Sequence, residues 1–281
     1  MSTVKWNEAR IERLQKEGRG QGELAEYRPW LEITDLSSMG VSHRVFSSKT
    51  SRTHHFLSNI ELNFFYMLEW CQDVVDIREQ FPLPRSATRE VATQLGVKHP
   101  AYPETHVDTV MTVDFFVTRI RDGETVLEAF DIKSNTGVED ARTIEKLEIT
   151  RSVFEENGVP HNIVTESALP TTKVKNLAWI SHARLMPGES EPVQGFFDDC
   201  CIRMQDDFSR ASGYLPLSEY CQNFETRFHL EPGVGLRVAR ILMNRRILVP
   251  DLNQPELHRA EIRTFTLTGS ASALRVVGGL R

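Results

Sequence analysis

Two runs of strand-forming residues flank an Asp-Gly pair, and this arrangement restricts the fold of the chain more than any other feature. Residues 110–118 and 125–133 are rich in β-branched and aromatic side chains, and Asp122 and Gly123 lie between them. An Asp-Gly pair between two such runs is typical of a two-residue β-hairpin turn. The sequence therefore predicts an antiparallel hairpin with Asp122 and Gly123 at its tip.

The predicted hairpin places two acidic side chains opposite each other. If Arg121 pairs with Glu124, the same register makes Asp114 the partner of Asp131. Cβ atoms of opposed residues lie roughly 4.5–5.5 Å apart. Lys133, two residues after Asp131, projects from the same face. Two like charges at this distance are unfavourable unless a cation lies between them.

An oxygen-rich pocket beside an ammonium group suits a divalent metal ion and an attacking water molecule. The alternative is an exposed hairpin that carries charges on its solvated face. An acid two residues before a lysine occurs once in this chain, as expected by chance, so the argument depends on the hairpin register.

The composition is that of an ordinary globular protein with room for two domains. Of its 281 residues, 40% are hydrophobic and 26% are charged. The four cysteines show no metal-binding spacing, and we expect reduced thiols in the core. Without a long apolar run or an apolar signal core, we expect a cytoplasmic protein that does not bind membranes.

Charge is distributed unevenly along the chain. Residues 61–170 contain 10 Lys/Arg against 20 Asp/Glu, whereas the segments before and after each have a net charge of +2. An acidic central block fits metal binding better than unaided DNA binding. Affinity for DNA would therefore require a partner or a local basic patch.

The hydrophobic pattern predicts an α/β core with a mixed sheet over residues 1–170. Helix, strand, hairpin, helix and strand follow one another at residues 58–71, 73–82, 110–133, 139–157 and 160–165. Ser58-x-x-Glu61 is a capping box, which gives Glu61 a structural role independent of catalysis. A short charged helix at 7–17 precedes a glycine run at 18–22, which we interpret as a flexible connector.

Residues 41–56 form the best basic patch in the chain. They combine strand-forming residues with Arg44, Lys49, Arg52 and His54, which are our candidate DNA-binding residues. The alternative is a solvated hairpin without a DNA contact.

A second domain is predicted over residues 171–281, because the less regular segment 171–194, with prolines at 170, 187 and 192, indicates a domain boundary near it. Helices at 196–212, 218–230 and 233–246 precede strand-like residues 247–249 and 262–267, an order that suggests a winged-helix domain. Arg237, Arg240, Arg245 and Arg246 could line a DNA-facing helix or form its solvated face, and protein contact is a competing role.

Several separated motifs lie within the first 165 residues. They include Asp76-Ile-Arg-Glu-Gln-Phe-Pro-Leu83 and Arg142-Thr-Ile-Glu-Lys-Leu-Glu148. The others lie at residues 16–22, 27–30, 42–44, 54–55, 61–62, 68–70, 98–100 and 112–115. Together they make this part of the chain resemble the TnsA family, the endonuclease subunits of heteromeric cut-and-paste transposases. The C-terminal third resembles the family only in its pattern.

The resemblance implies a restriction-endonuclease-like catalytic core, a winged-helix C-terminal domain and a set of site residues. An acid of the first core helix, an aspartate of the first hairpin strand and a lysine of the second form the family's active site. They correspond to Glu61, Asp114 and Lys133. The family can have glutamine two residues before this lysine. The chain has Asp131 at that position, and its carboxylate should strengthen metal binding. Mg²⁺, with Mn²⁺ as a substitute, would be held by Glu61, Asp114, Asp131 and the backbone carbonyl of Ile132.

The implied activity is cleavage of double-stranded DNA at the 5′ ends of a transposon, which frees the element from its donor. The implied partners are a TnsB-type DDE transposase subunit and a TnsC-type ATPase regulator. Two alternatives remain: a restriction- or repair-type nuclease that acts alone, and an adaptor with a vestigial metal site. Activity of the purified chain without a partner would favour the first, and the intact Asp114, Asp131 and Lys133 argue against the second.

Overall fold

A computed structural model describes residues 5–35, 41–211 and 213–268. The chain divides into two compact units, Met1–Leu169 and Pro170–Arg281, a division within one residue of the predicted boundary. The described elements of the N-terminal unit are α1 (Glu8–Lys16), β1 (His43–Ser47), β2 (Arg52–Phe56), α2 (Asn59–Trp70), β3 (Val74–Pro82), α3 (Arg85–Gln94), β4 (Thr112–Arg121), β5 (Glu124–Lys133), α4 (Ala141–Glu156) and β6 (His161–Thr165).

A four-stranded mixed sheet in the order β3-β4-β5-β6 forms the centre of the N-terminal unit. The first three strands are antiparallel, and β6 runs parallel to β5 after the connection through α4. A parallel neighbour requires a long connection, which α4 provides. The predicted mixed α/β core is confirmed.

The β4–β5 hairpin has the predicted turn. Asp122 and Gly123 adopt φ values of 53° and 83°, as a type I′ turn requires at both central positions. The register runs from Arg121 opposite Glu124 to Phe115 opposite Phe130. The ladder therefore follows the predicted register and ends one residue before the two aspartates.

Aromatic side chains cover both faces of the hairpin. The ring of Phe64 in α2 lies 5.5 Å from that of Phe115 and 5.1 Å from that of Phe130. On the opposite face, the ring of Phe116 lies 5.7 Å from that of Phe154 in α4. Successive strand residues point to opposite faces, so β4 is anchored by helices on both sides.

The glycine run at 18–22 is packed, and its interpretation as a flexible connector is wrong. Gly20 has φ +73°, and a Cβ atom there would lie 2.1 Å from Cγ of Pro82. Arg19 is buried and forms ion pairs with Glu32 and Asp35 at 3.1 and 3.2 Å. This segment therefore closes tightly against the end of β3.

The C-terminal unit is mainly helical in its described part. Its elements are α5 (Thr171–Ser181), α6 (Phe196–Phe208), α7 (Leu217–Phe228), α8 (Val234–Asn244), β7 (Leu248–Val249) and β8 (Thr266–Leu267). Val238, Ala239 and Leu242 of α8 are buried in its core. The short strands pair antiparallel, with Leu248 opposite Leu267. No helix in the described ranges combines the length and apolarity needed to cross a membrane.

Candidate active site

Lys133 joins the two aspartates at the open end of the hairpin. Its Nζ lies 2.8 Å from Oδ2 of Asp114 and 2.9 Å from Oδ1 of Asp131. The turn and register produce this cluster, because they bring the start of β4 beside the end of β5. In this structure, the cation between the carboxylates is the ammonium group of Lys133.

Asp114 has two further hydrogen-bond donors. The backbone N–H of Ile132 donates to its Oδ2 at 2.7 Å, and Nε2 of Gln80 donates to its Oδ1 at 3.3 Å. The carboxylate is therefore held from both neighbouring strands. The backbone of Ile132 lies within the cluster, and its predicted role as a carbonyl ligand stays a prediction.

Gln80 is a site residue that the sequence did not indicate. It is buried, has φ +47°, and accepts a hydrogen bond from Oγ1 of Thr112 at 3.0 Å while donating to Asp114. Positive φ is uncommon for a residue other than glycine and is concentrated at functional sites. The sequence gives no indication of this backbone conformation, because Gln80 is not a glycine and its neighbours belong to the same strand.

His161 is a second residue that the sequence did not indicate. Its Nε2 lies 2.9 Å from Oδ2 of Asp131, and its side chain is buried with its ring 5.8 Å from that of Phe154. The contact arises because parallel β6 pairs His161 with Ala129 of β5. The sequence predicts strand 160–165 but not the neighbour or direction of that strand.

Glu61 has the predicted capping role and also lines the same cleft as Asp114. Its Oε1 accepts a hydrogen bond from Oγ of Ser58 at 2.8 Å, and its Oε2 accepts one from the N–H of Leu57 at 3.0 Å. The N–H of Glu61 donates in return to Oγ of Ser58. Capping and a position beside Asp114 therefore coexist in one carboxyl group.

The electrostatics of the cluster show an excess of negative charge. Burial and the charge of Asp114 raise the pKa of Glu61 to about 7. Burial and the charge of Asp131 raise the pKa of Asp114. Although burial opposes it, the hydrogen bond from His161 and the charge of Lys133 lower the pKa of Asp131. One shared ammonium group does not fully compensate three clustered acids.

The cluster lines a cleft of about 810 Å³. The start of α2, the 100–112 segment, the end of β5 and one face of α4 line this cleft. Its described carboxylate and ammonium side chains are Glu61, Asp114, Asp131, Lys133 and Lys146. Three acids and two cations thus face the same space.

The donor chemistry of this cleft fits a hard divalent cation. Carboxylate oxygens are the ligands that Mg²⁺ takes in proteins, and the raised pKa values of Glu61 and Asp114 indicate a site that positive charge would stabilise. Within the described ranges, no three His, Cys, Asp or Glu side chains are placed to hold an ion jointly. Because the ammonium group of Lys133 lies between Asp114 and Asp131, metal binding would require Lys133 to release at least one aspartate.

The predicted basic patch divides into buried and accessible residues. Arg52 donates to both carboxylate oxygens of Glu79, and Nδ1 of His54 lies 2.8 Å from the same carboxylate. All three side chains are at most 7% exposed. The structure contradicts a DNA contact by Arg52 and His54. Arg44 is exposed, and Lys49 donates to two backbone carbonyl groups between α2 and β3, so their DNA contacts stay predictions.

Arg237, Arg240 and Arg245 of the α8 region have partners within the C-terminal unit. Arg237 pairs with Glu189, Arg245 pairs with an aspartate of α6, and Arg240 donates to the backbone carbonyl of Trp179. Arg240 also lies over the Trp179 ring, 4.9 Å from its centroid. These contacts favour a structural role for the arginines over a DNA-facing surface.

Comparison with known proteins gives two adjacent family matches. Residues 71–166 match the family described as TnsA-like endonuclease N terminal, and residues 169–252 match TnsA endonuclease C terminal. Over 175 residues, the chain is 42% identical to Transposon Tn7 transposition protein TnsA of Escherichia coli. This alignment covers 62% of the chain and 63% of the relative, so it spans less than two thirds of that protein.

Proposed function

Since this chain belongs to the TnsA family, matching both its N-terminal and C-terminal parts, we propose that it is the endonuclease subunit of a cut-and-paste transposase. It would cleave double-stranded DNA at the 5′ ends of the transposon and so excise the element. The Asp114–Lys133–Asp131 cluster, with Glu61 in the same cleft, carries this proposal. Clustered carboxylates beside a lysine suit metal-dependent hydrolysis of a phosphodiester.

The proposed cofactor is Mg²⁺, with Mn²⁺ as a substitute. Asp114, Asp131 and Glu61 would hold it, together with the backbone carbonyl of Ile132. Bound Mg²⁺ would supply Lewis acidity and a more acidic water molecule.

The side chains around this site would divide the remaining tasks. Lys133, once released from an aspartate, would orient the attacking water or stabilise charge on the phosphoryl oxygens. His161 keeps Asp131 in place through the Oδ2 hydrogen bond, and Gln80 does the same for Asp114. The carboxylates thereby enter the reaction in fixed positions, which lowers the reorganisation that cleavage requires.

The proposed partners are a TnsB-type DDE transposase subunit and a TnsC-type ATPase regulator. The net charge of −6 and the burial of Arg52 and His54 leave little basic surface for independent DNA binding. The C-terminal unit, with its helices and a short two-stranded antiparallel sheet, would be a winged-helix-like module. Because Arg237, Arg240 and Arg245 are engaged internally, we favour protein contact for this module.

A cleavage assay on transposon-end DNA with Mg²⁺ tests this function, with and without the cognate transposase subunit. We expect cuts at the 5′ ends only in the complete reaction, and none with Asp114→Ala. Glu155→Gln, a change on the exposed side of α4, is the control and should cleave normally. Cleavage by the chain alone would support a self-sufficient nuclease. No cleavage in any combination, with no Mn²⁺ binding by calorimetry, would support the adaptor.

A further inference from the structure

The cleft contains a lysine that the proposed chemistry does not use. Lys146 lies on α4 and is solvent-exposed. Thr143, Leu147 and Thr150 line the same cleft, and their spacing from Lys146 places all four on one face of the helix. Lys146 therefore faces the active site and not the opposite, solvent side of α4.

The acids near Lys146 have other partners. Glu145 pairs with Arg142, and Glu148 pairs with Arg151. The carboxylate of Asp140 caps α4, and its hydrogen bonds from Thr143 lower its pKa, with a smaller contribution from the charge of Lys146. Among the described residues, the Lys146 ammonium group has neither a hydrogen bond nor an ion pair. Intrahelical pairing, which explains Arg142 and Glu145, does not explain Lys146.

The charge balance of the cleft indicates what this ammonium group binds. Lys133 is occupied by Asp114 and Asp131, so a polyanion approaching the cleft meets three acids and one available cation. A DNA phosphate is repelled by the acids, and an exposed lysine at the cleft wall offsets that repulsion. Lysine is suited to this role because its ammonium is a compact charge on a flexible stem.

We infer that Lys146 is a substrate-binding residue that contacts a DNA backbone phosphate next to the bond that is cut. This inference rests on the proposed function, because it takes the DNA strand to lie in this cleft. The contact is independent of base sequence and contributes affinity and position. Lys146 thus complements Lys133, which acts at the reacting phosphate.

Fluorescence anisotropy with labelled duplex DNA tests the inference on the full chain. Binding is measured from 25 to roughly 200 mM salt, with Ca²⁺ in place of Mg²⁺, on transposon-end and scrambled duplexes. For Lys146→Gln we expect about tenfold weaker binding to both duplexes, and a salt slope smaller by about 0.9. Lys146→Arg should retain most of the affinity, and Mn²⁺ affinity should stay at the wild-type value.

The control is Lys16→Gln, which removes an exposed lysine of the same unit from outside the cleft. Equal affinity and salt slope for Lys146→Gln and wild type would overturn the inference. Equal losses in Lys146→Gln and Lys16→Gln, or in Lys146→Gln and Lys146→Arg, would also overturn it. If the wild type alone does not bind DNA, the same variants are compared in the complex with the cognate transposase subunit, and the same outcomes support or overturn the inference.

Failure of the proposed function has a different signature. If the wild type does not cleave in the complete reaction but the salt slope still falls for Lys146→Gln, the nuclease proposal fails and the phosphate contact stands. If the wild type cleaves while Lys146→Gln binds and cleaves equally well, only the Lys146 inference fails.

Discussion

Replacing Lys133 by methionine tests whether this ammonium group compensates the buried carboxylates. Methionine keeps an unbranched side chain and removes the charge. Lys133 lies 2.8 and 2.9 Å from the oxygens of Asp114 and Asp131, whose side chains are 14% and 6% exposed. The variant would leave two adjacent buried acids without their shared cation.

The expected loss of stability follows from this geometry. Removing one partner of a buried ion pair costs about 3–5 kcal/mol. Since the Lys133 side chain is 24% exposed, solvent reduces the effect, and we expect about 3 kcal/mol at pH 7. Protonation of Asp114 relieves the repulsion, because its pKa is already raised by burial and by Asp131. The difference in the free energy of unfolding between the variant and wild type should therefore shrink as the pH falls towards about 4, where the ordinary pKa of aspartate lies.

Urea unfolding followed by circular dichroism measures this difference, with and without Mn²⁺. A ligand at a hundred times its Kd adds about 2.7 kcal/mol to the native state. The variant should gain more from Mn²⁺ than the wild type does, because no ammonium group has to leave the aspartates. Lys98→Met, at an exposed lysine of the same unit, is the control and should behave as wild type. A loss below about 0.5 kcal/mol, or equal gains from Mn²⁺, would refute the reasoning.

Two further predictions concern pH and backbone conformation. Because the pKa of Glu61 is about 7 in the native state, against the ordinary value of 4.5, the native state holds a proton that the unfolded chain releases in this range. Wild-type stability should thus decline as the pH rises from 4.5 to 7, by on the order of 3 kcal/mol, and Glu61→Gln should flatten that decline in urea titrations. An unchanged slope would contradict this pKa. Gly20→Ala should cost about 3 kcal/mol in thermal unfolding, because the new Cβ meets Pro82 and φ is positive. Gly96→Ala, with a similar φ but open space, should cost only about 1 kcal/mol, and equal costs would show that the Pro82 contact is unimportant.

Local signals in the sequence were sufficient to predict the part of the site that the hairpin forms. Asp122-Gly123 determines the turn, the turn determines the register, and the register brings Asp114, Asp131 and Lys133 together. The capping box likewise predicts the bond from the N–H of Glu61 to Oγ of Ser58, although the Glu61 carboxylate accepts from the N–H of Leu57 and not from that of Ser58. In each case the interacting residues are close in sequence or linked by a single turn, so one local rule decides the geometry.

Contacts between residues that are distant along the chain could not be predicted from the sequence. Arg52 and His54 belong to a basic run, but Glu79, 27 and 25 residues away, draws both into the interior. His161 reaches Asp131 only because β6 joins the sheet beside β5. The composition of a segment shows its charge but not whether its side chains are buried. The order of strands in the sheet depends on packing of the whole unit, so it could not be predicted from one segment. Two residues of the predicted basic patch, Arg52 and His54, therefore belong to the core, and the site includes a histidine that the sequence did not indicate.

The shared ammonium group suggests that metal and DNA would bind cooperatively in the proposed nuclease. Lys133 has two carboxylate partners in this structure, and leaving them without a new anion would cost several kcal/mol. A phosphate beside the cluster offers that anion, so Lys133 can exchange partners with little net loss of ion pairing. Release of the aspartates for a metal ion would then be easier with DNA in the cleft, and by linkage DNA would bind more tightly with metal present by the same factor. Lys133→Met removes the ammonium that must be exchanged, so this coupling should weaken in the variant even though its Mn²⁺ affinity without DNA should be higher than that of the wild type. Equal coupling of Mn²⁺ and DNA binding in the variant and wild type would show that Lys133 does not link the two.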